Sequence, residues 1–280
     1  MKIIENASDL AKVISDLRAE GKTIGFVPTM GALHEGHMSL VQESRNANDY
    51  TVISIFVNPT QFNNADDLAK YPRTLEADCE VLENSGGVDF IFAPTVDVMY
   101  PSEYAYSPID LGIMDTTMEG QFRPGHFQGV VQVVKRLFDL VNPHKAYFGQ
   151  KDFQQVAVIR HMVKHYGLDL EIVSCPIIRS EKGLALSSRN ARLSEEEKEQ
   201  ALIISQTLAQ MQNMLMENTP TELIYFATDQ INKAGLVVEY IEIVHPESLK
   251  SLSNEWVSGA VCCVTAYCGD VRLIDNMVLN

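Results

Sequence analysis

The chain alternates short apolar runs with stretches in which apolar residues recur every three or four positions. The first pattern is typical of buried strands and the second of helices packed on one side. The first helix is predicted over Ser8–Glu20, and Gly21 follows its end. Leu10, Ile14 and Leu17 share one face of this helix. The chain therefore starts with an amphipathic helix that needs a packing partner.

Strand and helix patterns then alternate up to about residue 176. Strands are predicted within KTIGFVPT, YTVISIFVN, VDFIFAP, KAYFG and LEIVSCP. Helices are predicted within GHMSLVQESRNAND, RTLEADCEVLENSG, residues 126–141 and residues 152–166. This alternation predicts parallel βαβ units and a sheet covered on both faces. The irregular stretch 94–125 interrupts the pattern, and such long loops are usually functional or subunit contacts.

The pattern changes beyond Pro176. IIRSEKGLALSSRNARL is typical of a turn-rich hairpin or loop, and Ser194 with Glu197 forms a capping box that opens a helix to about Glu217. LVVEYIEIV, AVCCVTAYC and VRLIDNMVL follow closely enough to pair as antiparallel strands. We predict an α/β fold with a Rossmann-like parallel-sheet domain over 1–180 and a smaller α+β domain over 181–280. The boundary falls near residues 176–185.

Composition narrows the classes of function. The chain has 280 residues, of which 46% are hydrophobic, which is ample for a core. Its net charge of −15 opposes a broad nucleic-acid surface, although a few local cations and N–H groups can still hold a small anion. No apolar run reaches the length of a membrane span, and the N-terminal segment lacks a signal-peptide pattern. We expect a cytoplasmic protein without a membrane partner.

The cysteines are not expected to form disulfides or a metal site. There are five, an odd number, and none forms a CxxC pair. This spacing in strand-rich segments favours buried reduced thiols over a disulfide framework or a zinc site.

The segment FVPTMGALHEGHMSLV places two histidines where a predicted strand ends and a helix begins. A helix starting near Gly36 would offer free N–H groups and a positive dipole end to an anion. His34 and His37 are three residues apart and would share one face, so both could reach that anion. The alternative is that each histidine has no role in binding a ligand and is simply hydrogen-bonded or exposed to solvent at the start of a helix. A metal site would need a third ligand at suitable spacing, which is not evident.

Polar residues also follow two other predicted strands. In SIFVNPTQF, the amides of Asn58 and Gln61 can hold hydroxyls or carboxylates, although an Asn-Pro turn explains the pattern equally. In FGQKDFQQV, Lys151 is a point cation for phosphate and Asp152 caps the next helix. Gln155 lies one turn inside that helix. An ordinary surface helix start is the alternative for this second segment.

Two further segments carry candidate anion-binding groups. In GLALSSRN, Arg189 could bind two phosphate oxygens while Ser187 and Ser188 donate to others. In QFRPGHFQGV, Arg123 and His126 precede the helix predicted over 126–141. A polar loop ahead of a helix is the alternative in both cases.

These segments together resemble a known family. HEGH after a strand and a late Ser-Ser-Arg loop form the two-part signature of the HIGH-motif nucleotidyltransferase superfamily, whose members bind ATP between the two parts. PTMGALHEGHMSLV, FVNPTQF, YPRT, RPGHFQGV, KDFQQ and GLALSSRN, in this order over nearly the whole chain, closely resemble the pantoate–β-alanine ligase family. HxGH alone would be far less specific than the six blocks together.

The resemblance implies a reaction and its components. Enzymes of this family condense (R)-pantoate with β-alanine through a pantoyl adenylate that forms from ATP, and they release AMP and pyrophosphate. The product is pantothenate, a precursor of coenzyme A. The resemblance also implies Mg²⁺ bound with ATP and a homodimer formed through the first domain.

The resemblance assigns roles to individual positions. The implied catalytic residues are His34, His37, Lys151 and Arg189. The implied ATP contacts are Met30, Gly31, Ala32, Leu33, His34, Glu35, Gly36, His37, Gly149, Gln150, Lys151, Asp152, Ile178, Leu186, Ser187, Ser188 and Arg189. Gln61 and Gln155 would hold pantoate, with Asn58 nearby. Asp78 is a candidate for reaching magnesium, which phosphate oxygens and water are expected to hold.

Three positions depart from the family pattern: Gln150, Lys182 and Leu186 replace the usual Glu, Asp and Met. Gln150 and Lys182 make the local charge less negative, which bears on nucleotide affinity and not on reaction type. Other functions fit the residues less well. Another adenylyl- or cytidylyltransferase would need additional Arg or Lys for a phosphorylated acceptor, whereas Gln61 and Gln155 suit a diol and a carboxylate. The charge of −15 opposes an aminoacyl-tRNA synthetase fragment. A nucleotide sensor would not need so many groups at the phosphates.

Overall fold

The computed structural model describes residues 1–63 and 65–279, which divide into two compact units. The first unit comprises Met1–Gly149 and Gln155–Cys175, and the second comprises Gln150–Gln154 and Pro176–Asn280. The predicted first domain, 1–180, had included residues 150–154 and 176–180. The structure groups both segments with the second unit, partly because the Asn276 side chain binds the backbone of residues 150 and 151.

The described strands of the first unit form one parallel sheet, which confirms the predicted fold class. Its order is β1-β4-β3-β2-β5-β6, and each neighbouring pair is parallel. The strands are β1 (Lys2–Ile4), β2 (Ile24–Thr29), β3 (Tyr50–Ile55), β4 (Phe90–Phe92), β5 (Lys145–Gly149) and β6 (Glu171–Cys175). The sequence did not predict β1, because its three residues are too few to show a pattern. The carboxyl ends of β2 and β3 lie side by side, as expected.

The helices up to residue 175 agree with the predicted segments, with short additions. They are α1 (Ala7–Ala19), α2 (Glu35–Ala47), α3 (Ala65–Lys70), α4 (Leu75–Ser85), α5 (Val96–Met99), α6 (Glu119–Phe122), α7 (His126–Val141) and α8 (Phe153–Tyr166). The stretch 94–125, predicted to be irregular, contains α5, α6 and a 3₁₀ turn at Gly112–Asp115. These pieces are too short for a helical period to be visible in the sequence.

Both faces of the parallel sheet are buried, as the apolar runs predicted. Successive side chains of a strand point to opposite faces. Phe26 belongs to the larger apolar cluster, in which α1 and α7 take part, whereas its neighbour Val27 belongs to a separate cluster with residues of α2. Val52 and Ile53 divide in the same way. The central strands β2 and β3 are therefore largely apolar, because side chains on both of their faces are buried.

The second unit has helices on an antiparallel sheet, also as predicted. Its described strands, in the order β7-β8-β9, are β7 (Val237–Val244), β8 (Val261–Cys268) and β9 (Val271–Val278). Its helices are α9 (Glu195–Met214) and α10 (Pro220–Lys233). The Ser194–Glu197 capping box opens α9. The sequence analysis missed α10, although a capping box of Thr219 and Glu222 and a proline at its first position were available as signals.

The remaining expectations concern thiols and membranes. All five cysteines are free thiols, and all except the half-buried Cys79 are buried. Burial raises the pKa of the Cys175 thiol to about 11, so this group is protonated at neutral pH. Among the described helices, none combines the length and the apolar character that a membrane span needs.

One close backbone approach positions a predicted substrate residue. Helix α7 passes directly over the 3₁₀ turn Pro59–Gln61 that follows β3. A Cβ atom added at Gly129 would lie 2.6 Å from the Cα of Gln61 and would overlap the Thr60 carbonyl group. Glycine is therefore required at this position of α7 by packing.

Gly129→Ala should destabilise the protein, because the turn at Gln61 would have to move away from α7. We expect a loss of about 1–3 kcal/mol in the free energy of unfolding, the usual cost of overpacking, measured by urea denaturation. Gly149→Ala is the control, because a Cβ there would meet no atom within 4 Å. Equal stabilities of the two variants would contradict the packing role of Gly129.

Candidate active site

The chain leaves β2 through a turn that holds two residues in the left-handed region. Gly31 has φ 82° and Ala32 has φ 51°. This conformation is unfavourable for a residue with a side chain and persists only where neighbouring groups fix it. The Thr29 hydroxyl accepts a hydrogen bond from the Gly31 N–H at 3.2 Å. The turn leads directly into α2, so its shape decides where the two histidines lie.

Asp78 on α4 fixes this turn with both carboxylate oxygens. The N–H of Ala32 donates to Oδ2 at 3.0 Å, and the N–H of Leu33 donates to Oδ1 at 2.7 Å. The Thr74 hydroxyl also donates to Oδ2, at 3.3 Å, and Asp78 is only 2% exposed. The magnesium contact suggested for Asp78 is not favoured by this geometry, because the carboxylate is buried and binds backbone N–H groups.

The two histidines cap the first turn of α2. Nδ1 of His34 accepts from the Gly36 N–H at 3.1 Å, and Nδ1 of His37 accepts from the His34 N–H at 3.3 Å. The ring centroids are 4.1 Å apart. The helix begins at Glu35, so His34 is the N-cap and lies outside the helix. The prediction of a shared helical face required the helix to have begun at His34, and this condition is not met. The reciprocal bonds still bring the two imidazoles together.

These caps select one tautomer for both rings. A ring nitrogen that accepts a hydrogen bond cannot carry a proton, so the proton of each neutral imidazole is assigned to Nε2. Protonation of either ring at Nδ1 would break a cap. In this arrangement, the N–H group that each neutral ring can donate is at Nε2.

A second group of polar side chains surrounds Gln61. Its Nε2 donates to the Met30 thioether sulfur at 3.0 Å, and its Oε1 accepts from Nδ2 of Asn58 at 3.2 Å. Asn58 is fully buried, and its Oδ1 accepts from the Tyr100 hydroxyl at 2.8 Å. His126, whose role was ambiguous in the sequence, donates from Nδ1 to the Gln61 carbonyl at 2.8 Å. Gln61 is thus held through both its side chain and its backbone.

Tyr100 is a site residue that the sequence did not reveal. It lies just after α5 in the stretch predicted to be irregular, where no pattern marks it. Burial raises the pKa of its hydroxyl, so Tyr100 remains a neutral donor to Asn58. Arg123, the other ambiguous residue, pairs with Glu119 at 3.5 Å.

The second unit gathers three predicted phosphate-binding residues in one pocket. Lys151, Ser187 and Arg189 line it together, although Lys151 is distant from the other two in sequence. Ser187 caps the 3₁₀ turn Ser188–Arg192 by accepting from the Arg189 N–H at 3.3 Å. Asn190 lines the same pocket and was not predicted. Lysine, arginine and serine are residue types that bind phosphate, although the lining also contains the carboxylate residue Asp275.

The predicted residues divide between the two units. The first unit contains Met30, Gly31, Ala32, Leu33, His34, Glu35, Gly36, His37, Asn58, Gln61, Gly149 and Gln155. The second contains Gln150, Lys151, Asp152, Ile178, Leu186, Ser187, Ser188 and Arg189.

Lys182, one of the departures from the family pattern, forms an ion pair with Glu199 on the surface of the second unit. Its positive charge is therefore balanced locally.

Comparisons with known proteins show which family the chain belongs to. A family model described as pantoate-beta-alanine ligase matches residues 2–278. The chain is 55% identical to the pantothenate synthetase of Bacteroides fragilis, over 99% of this chain and 98% of the relative. It is similar to the crystal structure of the Thermus thermophilus pantothenate synthetase, with a TM-score of 0.93, 41% identity and coverage of 100% and 99%.

A third similar structure contains bound ligands. The pantoate-beta-alanine ligase of Francisella tularensis, described as complexed with beta-gamma ATP and beta-alanine, has a TM-score of 0.83 and 34% identity. The match covers 100% of this chain and 98% of that one.

Asp78→Asn should loosen the turn before α2 without unfolding the protein. An amide NH₂ would face one of the two backbone N–H groups, which costs about 1–3 kcal/mol for a buried unsatisfied donor. We expect amide hydrogen exchange in residues 30–38 to become roughly tenfold faster or more, as measured by mass spectrometry. Glu80→Gln, at an exposed carboxylate of the same helix, is the control. Unchanged exchange in Asp78→Asn would contradict the anchoring role.

Proposed function

The chain belongs to the pantoate–β-alanine ligase family, and from this premise we propose that it condenses (R)-pantoate with β-alanine through a pantoyl adenylate formed from ATP. It is a carbon–nitrogen ligase. The observation that supports the proposed mechanism is the presence of two sets of side chains that are chemically suited to phosphate. The capped histidine pair belongs to one unit, and the Lys151, Ser187 and Arg189 pocket to the other.

In the first step, a carboxylate oxygen of pantoate attacks the α-phosphorus of ATP. The bond from that phosphorus to the bridging oxygen breaks, and pyrophosphate leaves with the electron pair. Carboxylates are poor nucleophiles and phosphate anions repel them, so the enzyme must position the two groups and stabilise the developing charge. We assign charge stabilisation to Lys151 and Arg189.

The histidines act in this step as neutral hydrogen-bond donors. Their Nδ1 atoms accept the capping bonds, so Nε2–H is the group that each ring directs to the phosphates. A donor of this kind stabilises charge on the leaving pyrophosphate without transferring a proton. The role of proton donor, which the family resemblance attaches to His37, would require an imidazolium and the loss of a cap.

In the second step, the amine of β-alanine attacks the acyl carbon of the adenylate. The new carbon–nitrogen bond forms as the bond to the AMP oxygen breaks, and the amine loses a proton. Adenylation is what makes this step possible, because AMP leaves readily whereas an oxide ion does not. We assign the binding of pantoate to Gln61 and Gln155, with Asn58 and Tyr100 holding the Gln61 amide in place.

The surroundings of Gln61 favour this reaction over a nucleotidyltransferase that uses a phosphorylated acceptor. The side-chain and backbone groups of Gln61 contact the Met30 thioether, the Asn58 amide and the His126 ring. In the described residues, no lysine or arginine is among these partners. An uncharged hydroxyl or a single carboxylate matches such a site better than a phosphate does.

Magnesium is proposed to enter as part of the Mg–ATP substrate. Within residues 1–63 and 65–279, there is no cluster of three or more His, Cys, Asp or Glu side chains suited to a metal ion. The Asp78 carboxylate does not fit as a ligand, since backbone N–H groups already bind both oxygens. Mg²⁺ is commonly held by substrate phosphates and water. The homodimer and the cytoplasmic location remain predictions from the sequence.

Pyrophosphate exchange into ATP should require pantoate. Reversible adenylation returns labelled pyrophosphate to ATP only when the acid substrate is bound, and β-alanine is not needed. We expect exchange with Mg–ATP and pantoate, and none with ATP alone. Exchange that unrelated carboxylates support equally well, or its absence with pantoate, would refute the proposed reaction.

Two substitutions at His37 should separate its capping role from its role at the phosphates. In His37→Asn, the amide oxygen can replace Nδ1 as the cap acceptor, but the amide NH₂ is attached at Cγ and does not reach as far from the backbone as Nε2–H. In His37→Gln, the amide NH₂ can replace Nε2–H. We expect His37→Asn to keep its melting temperature but to lower the exchange rate by roughly 10² or more, as the loss of a transition-state donor does. His37→Gln should retain more activity, and the reverse order would contradict the assignment.

Lys151→Ala should lower the exchange rate by a similar factor, roughly 10² or more, because a cation at the phosphates is lost. Circular dichroism should show an intact fold, since Lys151 is on a short 3₁₀ turn and not in a core. Lys233→Ala is the matched control, because it removes a lysine that is paired with Asp229 on the surface. Full activity in Lys151→Ala would refute the assigned role.

A further inference from the structure

The backbone that carries Lys151 is bound by one side chain of the last strand. Residues Gln150–Asp152 form a single 3₁₀ turn after β5. The Nδ2 atom of Asn276 donates to the carbonyl oxygen of Gln150 at 2.9 Å and to that of Lys151 at 2.9 Å. Asn276 is 2% exposed, so these bonds are shielded from water. Two consecutive peptide groups of the turn are thereby tied to β9.

Asn276 is itself held in place by its neighbours. Its backbone N–H donates to Oδ1 of Asp275 at 2.8 Å. Asp275 forms a two-point ion pair with Arg179, at 2.6 Å and 2.9 Å. Both Asp275 and Asn276 lie within the paired register of β8 and β9. The orientation of the Asn276 amide is also fixed, because only its NH₂ group can bind two carbonyl oxygens.

Strand β9 also forms part of the wall of the phosphate-binding pocket. Arg272 and Asp275 line the pocket that contains Lys151, Ser187 and Arg189. The same strand therefore supplies a wall of the pocket and, through Asn276, the attachment of the lysine. A flexible lysine side chain reaches a defined point only as accurately as its backbone is placed.

We propose that Asn276 is a positioning residue, which places the Lys151 ammonium beside Ser187 and Arg189 by binding the carbonyls of residues 150 and 151. This inference rests on the proposed function, because the action of Lys151 on the phosphates is part of it. Asn276 does not touch the substrates; its effect on catalysis passes through Lys151.

A double-mutant cycle tests this dependence. Asn276→Ala should lower kcat/KM for ATP, measured by pantoate-dependent pyrophosphate exchange, by roughly tenfold or more, as misplacement of a catalytic group does. In the Lys151→Ala background, the same substitution should change kcat/KM by less than about twofold, because the group that it positions is already absent. Asn276→Asp, which keeps the shape but replaces the donor with an acceptor, should be at least as impaired as Asn276→Ala.

Gln200→Ala is the control for loss of a half-buried side-chain amide hydrogen bond. The Gln200 side chain donates to the Ala234 carbonyl at 2.7 Å in the same unit and does not bind residues 150–152. Gln200→Ala should lower the melting temperature while leaving kcat/KM within about twofold of the unmodified enzyme.

Asn276→Ser is used in the cycle if Asn276→Ala does not fold, because serine leaves a smaller polar group in the same space.

The outcomes separate this inference from the proposed function. An equal loss of activity from Asn276→Ala in both backgrounds, or no loss in either, would overturn the positioning role while leaving the function intact. A fully active Lys151→Ala enzyme would overturn the assigned role of Lys151 and the inference with it. Absence of pantoate-dependent exchange in the unmodified enzyme would refute the function itself.

Discussion

The first backbone N–H groups of α2 need acceptors, and the chain meets this need with imidazole nitrogens. Serine, threonine, asparagine or aspartate usually caps a helix. None of these side chains has a ring N–H donor on the side away from the cap, as histidine does. A histidine cap accepts through Nδ1 and thereby assigns its proton to Nε2. The two capping hydrogen bonds thus start the helix, assign one tautomer to each ring and leave two Nε2–H donors. The chemistry proposed for the phosphates follows from this local requirement.

Buried polar side chains then hold the backbone of each part of the site. Asp78 binds the turn before His34, Asn58 binds Gln61 and the Gly129 carbonyl, and Asn276 binds the turn of Lys151. All three are nearly or fully buried. The Asp78 carboxylate, the Asn58 amide and the NH₂ group of Asn276 are hydrogen-bonded, which limits the conformations of these buried side chains. The backbone at the histidine turn, at Gln61 and at Lys151 is therefore held by buried hydrogen bonds.

The overall charge of the protein does not conflict with its anionic substrate. The chain has a net charge of −15, yet the groups proposed to bind phosphate are Lys151, Arg189, the Ser187 hydroxyl and neutral N–H donors. Short-range hydrogen bonds and local cations determine binding at a phosphate, whereas the charge of distant surface residues is screened by salt. Net charge therefore opposed a nucleic-acid surface without excluding a nucleotide.

The sequence by itself determined the elements, the fold class and the candidate residues. Apolar runs and helical spacing identified β2 to β9 and the longer helices except α10, because these signals reflect burial that recurs within a few residues. The capping box at Ser194 was equally local. The motif blocks identified the family, and the structure brought Lys151, Ser187 and Arg189 into one pocket as those blocks implied.

Only the tertiary structure decided which residues support the site. Asp78 is 46 positions from the Ala32 amide that it binds, and Asn276 is 125 positions from the Lys151 carbonyl. Tyr100 is in a stretch without a pattern, and no local signal indicated that residues 150–154 group with the second unit. A local pattern records how a residue is buried, but the partner of a buried hydrogen-bonding group is fixed only when strands and helices from distant parts of the chain pack together.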